Sequence, residues 1–420
     1  MNKPRLPCKF PYSMIVFDLP SNRAKYCCKM HGGLNLDEEW DFKNNDFARK
    51  LRKKLWDGHR PKICELCWQA ENKKVKSWRL SEGQWNEWED PTPMYKTDTP
   101  NFRRIALMLD NTCDLACIYC GPWLSSSWVQ EVKREQGKFK EAIKHFKPIQ
   151  DVDRKVQNII DTIEMMGEDS MPNVRYELAF LGGEPFLSPQ VKNGKFERFI
   201  EAFYKHADPS RNLLLNFITN CNTPDAVWKK NYEILERSKE KYPGLSVHIS
   251  MSLESVGKWT EMTRFNSSWK QVDKNIRRWL AIPWVDYNFN TAFNALSILN
   301  LKEYLQYLEQ IHADTGRLIQ LSPNVVYEPD GLQTSVLDKR FKKYVESAID
   351  YFNKMDESIF AEYSRKDDLK AIIVNIKDTL GKNVTRQNII DLKEYTDYMQ
   401  KSRNIDLRDY NLDLYHYVYG

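Results

Sequence analysis

The stretch Asp110-Asn111-Thr112-Cys113-Asp114-Leu115-Ala116-Cys117-Ile118-Tyr119-Cys120 decides how this chain is read. It follows Ile105–Leu109, a short apolar run with the length of a buried strand. Its cysteines are spaced C-x3-C-x2-C, so three thiolates fall within eight residues. Such a loop can wrap one side of an iron–sulfur cube and leave the fourth iron without a protein ligand. An open coordination position is what catalysis at a metal requires. The competing readings are a zinc knuckle that borrows a fourth ligand and three plainly buried thiols. No histidine lies close by to complete a zinc site.

Outward from that loop the chain alternates between strand and helix patterns. Further candidate strands are Tyr176–Phe180, Leu214–Thr219, Ser246–Met251, Asn288–Phe293 and Ile319–Val326. Between them lie a long charged helical pattern ending in Val152–Met166, then Lys195–His206, Asp225–Lys239, Ser268–Leu280 and Leu301–Thr315. Six strand–helix units with right-handed crossovers make a parallel sheet, either open or rolled into a partial barrel. In such barrels the chemistry sits on loops leaving the C-terminal ends of strands. The second strand obeys that rule, ending in Leu181-Gly182-Gly183-Glu184-Pro185. Paired glycines let a ligand approach free backbone N–H and C=O groups, although a tight βα turn needs no ligand to explain it.

The two loops together resemble the radical S-adenosylmethionine (SAM) superfamily. That family carries C-x3-C-x2-C after its first strand, an aromatic residue before the last cysteine, and Gly-Gly-Glu-Pro after its second strand. The resemblance covers about residues 102–330 and implies a partial (β/α)6 TIM-type barrel. It implies that Cys113, Cys117 and Cys120 hold a [4Fe–4S] cluster whose unique iron is chelated by the amino and carboxylate groups of SAM. Gly182, Gly183 and Glu184, with Pro185 closing the motif and Tyr119 matching the aromatic position, would meet the cofactor. Looser matches follow. Asn220 ends the third strand where relatives often have Thr-Asn-Gly, with Cys221 in place of the glycine and read as a small buried residue. Ser252 and Glu254 stand where Ser-x-Asp is common, as SAM contacts or as caps of the next turn. Arg264 resembles a recurrent arginine, and Thr291 and Asn300 follow more weakly.

Nine cysteines cannot form a complete disulfide set, and eight lie within the first 120 residues. Met1-Asn2-Lys3-Pro4-Arg5 opens no apolar signal-peptide stretch, so reduced thiols and a cytoplasmic location are expected. Before the triplet stand Cys8, Cys27-Cys28 and Cys64-Glu65-Leu66-Cys67. Taking Cys27, the intervals are C-x18-C-x36-C-x2-C, four thiolates for either Zn²⁺ or an all-cysteine [4Fe–4S] cluster. The pattern resembles an N-terminal twitch domain, the smaller relative of the SPASM auxiliary module. That resemblance implies a second [4Fe–4S] cluster on Cys8, Cys27, Cys64 and Cys67, with Cys28 as the alternative to Cys27 and zinc as the alternative metal.

The expected division is therefore a Cys-rich domain over 1–95, a barrel over 96–330 and a helical extension over 331–420. The last contains helices near Ser335–Asn353, Lys366–Leu380 and Asn388–Lys401, then a Tyr-rich tail. Asp90-Pro91-Thr92-Pro93 reads as a domain edge. An amphipathic helix is expected over Asp46–Leu55, with Phe47, Leu51 and Leu55 inward and Arg49, Lys50, Arg52, Lys53 and Lys54 on the other face. Hydrophobic residues at 41% exclude a disordered chain, and no apolar run approaches a membrane span. With 63 Lys+Arg against 58 Asp+Glu, the charge gives no reason to expect a nucleic-acid partner.

The implied activity is reductive cleavage of SAM to a 5′-deoxyadenosyl radical that abstracts a substrate hydrogen. A fully ligated auxiliary cluster would accept the electron left behind, which makes oxidation or crosslinking of a peptide or protein side chain the first expectation. Dehydrogenation or epimerisation of a small polar metabolite or nucleoside is the second, and a non-catalytic iron–sulfur or SAM-binding protein the third. An electron donor such as flavodoxin or ferredoxin is the implied partner.

Overall fold

The structure, a computed structural model, describes residues 8–72, 77–80, 98–135, 149–362, 364, 366–382 and 384–420. The Asp90–Pro93 edge lies outside the described residues, as does much of the expected charged helix before residue 149.

Eleven strands are described: β1 (Met14–Asp18), β2 (Arg23–Lys25), β3 (Leu34–Asn35), β4 (Arg104–Met108), β5 (Ala116–Cys117), β6 (Tyr176–Leu181), β7 (Leu213–Thr219), β8 (Leu245–Ser252), β9 (Arg264–Phe265), β10 (Val285–Phe293) and β11 (Leu321–Val325). Nine hydrogen-bond in the order β11-β10-β8-β7-β6-β4-β1-β2-β3, while β5 and β9 form a separate antiparallel ribbon. From β4 to β11 each principal strand lies beside the next in chain order, with helices between them. This is the strand–helix succession of a partial (β/α)6 barrel.

The front of the sheet differs from expectation. The first 95 residues carry an interior strand of the sheet: β1 lies parallel to β4, Met14 opposite Arg104 through Asp18 opposite Met108. All five β1 residues are buried, so the run shows no in–out alternation. The β2–β3 hairpin then extends β1 antiparallel.

Two compact units divide the chain. One comprises Met1–Asn111, Lys147–Phe217 and Lys229–Val247; the other comprises Thr112–Phe146, Ile218–Trp228 and His248–Gly420. In the first, the Phe217 ring stacks on Phe180 and Phe186 at 4.6 and 4.8 Å, with Phe196 edge-on. Helix Val152–Glu168 packs on Glu197–Tyr204 in the same unit. Its Gly167 is where the two approach, because a Cβ there would stand 2.0 Å from the Phe203 carbonyl oxygen. Gly167→Ala is therefore expected to cost about 1–3 kcal/mol through overpacking, read as a lowered urea midpoint.

Helix Asp46–Trp56 forms as expected, capped by the Asn45 side chain on the Ala48 N–H. Arg52 departs from its expected outward place. Its side chain is fully buried, its Nη2 donates to the Lys43 carbonyl at 2.8 Å, and its guanidinium lies 5.4 Å from the Tyr12 ring.

In the second unit, helix Leu301–Thr315 ends on Gly316 in the left-handed region. The helical extension contains Lys342–Phe352, Lys366–Thr379 and Arg386–Arg403. The Tyr-rich tail folds as well, into helix Leu412–Tyr419. Its Tyr417 hydroxyl donates to the Val336 carbonyl at 2.6 Å. No helix among the described residues is long and apolar enough to cross a membrane.

Candidate functional site

Strands β4 and β6 run parallel with Met108 opposite Leu181, so both candidate loops depart from neighbouring C-terminal strand ends. After β6, Gly182 and Gly183 both take positive φ, 72° and 46°, where a side chain is strained. Glu184 is fully buried, and its carboxylate caps the short helical turn Pro185–Leu187 by accepting from the Phe186 N–H at 3.2 Å. Asp110, which leaves β4, accepts from the Ser188 hydroxyl beyond that turn. A cavity of about 200 Å³ opens here, lined in part by Asp110, Gly182, Pro185 and Ser188.

The cysteines of the loop belong to the second unit, and the loop is held at several residues. The Cys113 carbonyl accepts from the Ser126 and Ser127 hydroxyls at 3.0 and 2.9 Å, at the start of helix Ser126–Glu135. Asp114 receives the amides of Asn220 at 2.8 Å and Asn222 at 2.7 Å, and the Asn220 amide also stands 3.8 Å from the Cys113 sulfur. Asn220 is thus a brace for the loop. Cys221, in the left-handed region at φ 60°, fills the position where the resemblance has glycine, and its carbonyl is held by Asn275.

Cys117 lies in β5, opposite Arg264 in β9. Its carbonyl accepts from the Trp128 indole at 2.8 Å. Burial pushes the Cys117 thiol up to about 12, against the pull of the Arg264 guanidinium. Burial likewise raises Cys120.

Glu254 reaches this loop without being open to it. Its carboxylate is fully buried and takes a two-point pair from Arg264, Nε to Oε1 at 3.0 Å and Nη2 to Oε2 at 2.6 Å. The Tyr119 hydroxyl donates to Glu254 Oε1 at 3.0 Å, and burial holds its phenol well above its ordinary value. Glu254, Arg264 and Tyr119 therefore make one buried network behind the cysteines. Ser252 stands half-buried at the end of β8. Thr291 is buried against the Tyr304 hydroxyl at 2.8 Å, and the Asn300 side chain accepts from the Val256 N–H at 2.8 Å.

The earlier cysteines gather elsewhere, in the first unit. Cys8, Cys27, Cys64 and Cys67 line one cavity of about 400 Å³, together with Tyr26, Leu51, Leu55, Trp68 and Arg79. Cys28 is not among the lining residues and is exposed. The Pro61 carbonyl accepts from the Trp68 indole at 3.0 Å, which fixes the turn carrying Cys64 against the helix carrying Cys67. Arg79 pairs with Glu71 at 2.7 Å and lies 4.9 Å from the Trp68 ring centre, closing one wall. Burial pushes Cys8 up to about 12 and Cys64 up to about 11.

Among the described residues no three His, Cys, Asp or Glu side chains stand at the spacing of a single metal ion. Four thiolates on one zinc, with bonds of about 2.3 Å, would bring sulfurs to within about 3.8 Å of one another. Four thiols on one cavity are a donor set that either a zinc ion or a four-iron cube can take.

No family model matches this chain, and no curated relative does. Among solved structures the chain is similar to "Native anSMEcpe with bound AdoMet", 14% identical, over 65% of this chain and 66% of that one, at a TM-score of 0.42. It is similar also to "Native anSMEcpe with bound AdoMet and Kp18Cys peptide", 15% identical, over 65% and 67%, at a TM-score of 0.43. The match thus spans just under two thirds of the first of these chains.

Proposed function

We propose that this chain is a radical SAM enzyme acting on a peptide or protein side chain. The observation that carries the reading is that C-x3-C-x2-C and Gly-Gly-Glu-Pro leave the C-terminal ends of the neighbouring parallel strands β4 and β6. When bound, a four-iron centre with SAM at its open iron supplies one-electron cleavage of SAM and abstraction of a hydrogen atom from substrate. Cys113, Cys117 and Cys120 would hold that centre. The left-handed Gly182-Gly183 turn would offer its backbone to the cofactor amine. Serine, asparagine and tryptophan contacts to Cys113, Asp114 and Cys117 keep the loop in one conformation before loading.

Residues 1–95 would carry the auxiliary module besides strand β1 of the sheet, 96–330 the rest of the barrel and 331–420 the helical extension. Four cysteines on one cavity support a second, fully ligated [4Fe–4S] centre. Held there, such a centre would supply an outlet for the electron left on the substrate, which favours a net oxidation or a crosslink.

The test is anaerobic. Reconstituted protein given SAM and dithionite is expected to release 5′-deoxyadenosine and methionine, with Cys117→Ala at background. Fully loaded wild-type protein that leaves SAM intact, even with peptide present, would sink the proposal.

A further inference from the structure

Helix Arg386–Arg403 of the helical extension ends on a residue that the proposed chemistry has not used. The Arg403 side chain is wholly buried and pairs through Nε with Glu131 Oε1 at 2.9 Å. Its guanidinium carbon lies 4.7 Å from the Trp128 ring centre, 4.8 Å from Phe265 and 5.8 Å from Tyr398. Both terminal nitrogens are buried without a hydrogen-bond partner among the described residues. Buried N–H groups without partners are costly, and a buried charge held at one point only is more so.

The position of this charge is specific. Trp128 donates its indole N–H to the Cys117 carbonyl, and Phe265 faces Ala116 across the β5–β9 ribbon. Ala116, Trp128 and Val132 form one buried cluster, against which Cys120, Phe265 and Tyr398 pack. Arg403 therefore sits in an aromatic cage directly behind the strand that carries Cys117. Arg264, opposite Cys117 in β9, is a second buried cation beside that strand. The two arginines differ in compensation. Arg264 uses Nε and Nη2 on both oxygens of Glu254, whereas Arg403 uses Nε alone on one oxygen of Glu131. In a water-free surrounding a fork left open in this way keeps much of its positive potential.

We infer that Arg403 is a positioning residue for the three-cysteine centre, its buried charge favouring the centre's one-electron-reduced state. This rests on the functional reading above. The electron comes from the external reductant, adds to the cluster and leaves it one charge more negative, with no bond made or broken. A cation fixed behind Cys117 stabilises that added charge. The helical extension would then contribute to the chemistry of the barrel loop through one side chain.

The experiment is a redox titration of the reconstituted full-length protein, followed by paramagnetic resonance. The three-cysteine centre is recognised by the change of its signal on adding SAM. Arg403→Gln is expected to lower the reduced-to-oxidised ratio at a fixed potential about tenfold, equal to about 59 mV for a one-electron couple. Arg403→Lys, which keeps the charge, should stay within about twofold of wild type. Glu131→Gln removes the compensating anion and is expected to shift the centre the opposite way. That opposite sign is a signature that loss of packing does not produce, and it decides the question even where Arg403→Gln folds poorly. A centre whose potential is unmoved in both variants, or moves the same way in both, overturns the inference alone. A wild-type protein that binds no SAM-responsive cluster overturns the functional reading and this inference together.

Discussion

Glu254→Gln is expected to lower the stability of the cluster-free protein by about 3–5 kcal/mol, the usual cost of removing one partner from a buried ion pair. Glu254 and Arg264 have side chains 0% and 5% exposed, so water cannot replace the lost carboxylate. The guanidinium that remains would lose its counter-charge and the acceptor at one of its two contacts, because the glutamine carbonyl replaces only one carboxylate oxygen and its amide is a donor. Tyr119→Phe, which removes one bond to a charged group, should cost about 1.5–3 kcal/mol. Replacing the whole pair, as Glu254→Met with Arg264→Met, should recover most of the loss, because well-packed apolar residues commonly substitute for a buried pair without penalty. Urea midpoints of the four proteins, measured without iron or SAM, check this. The result also separates two roles for Glu254. A side chain serving only as a cofactor contact would leave the cofactor-free midpoint unmoved, and that outcome would remove Glu254 from the brace.

Ser252-Leu253-Glu254 is legible as a strand-end motif, but the partners of Glu254 lie 10 and 135 residues away along the chain. Neither pairing leaves a local signature, since periodicity reports which face a residue takes and not whom it meets. The strand–helix alternation from residue 104 onward was legible because half-buried helices repeat at helical spacing and strands are bounded by turn residues. Strand β1 was not. Met14-Ile15-Val16-Phe17 is buried on both faces, and a short continuous apolar run has no period to read. Arg52 misleads for the opposite reason. It sits among outward-facing basic residues in sequence, yet its side chain turns inward onto Tyr12. The choice between Cys27 and Cys28 is likewise not legible in the sequence, because adjacent residues leave a turn in different directions.

The second large effect concerns that choice and the metal itself. Wild-type protein loaded with iron and sulfide is expected to hold about eight irons per chain, and Cys67→Ser about four. Cys67 is buried at the first turn of helix Glu65–Asn72, on the wall it shares with Cys8, Cys27 and Cys64. Serine there would put a hydroxyl, a much poorer iron donor, in place of one thiolate, and the Leu51, Leu55 and Trp68 walls offer no second thiol. Cys8→Ser and Cys27→Ser should reproduce the loss. Cys28→Ser should keep all eight irons, because Cys28 is exposed and does not line the cavity. Cys67→Ser should still cleave SAM under dithionite, since its four remaining irons would lie on Cys113, Cys117 and Cys120, while net oxidation of a peptide would fall away with the proposed electron outlet. Four irons and one zinc in the wild-type chain would refute the auxiliary cluster. Loss of iron from Cys28→Ser with retention in Cys27→Ser would exchange the two ligands. An auxiliary centre on these four residues must pass both comparisons, because ligand count and side-chain direction are independent consequences of the same cavity.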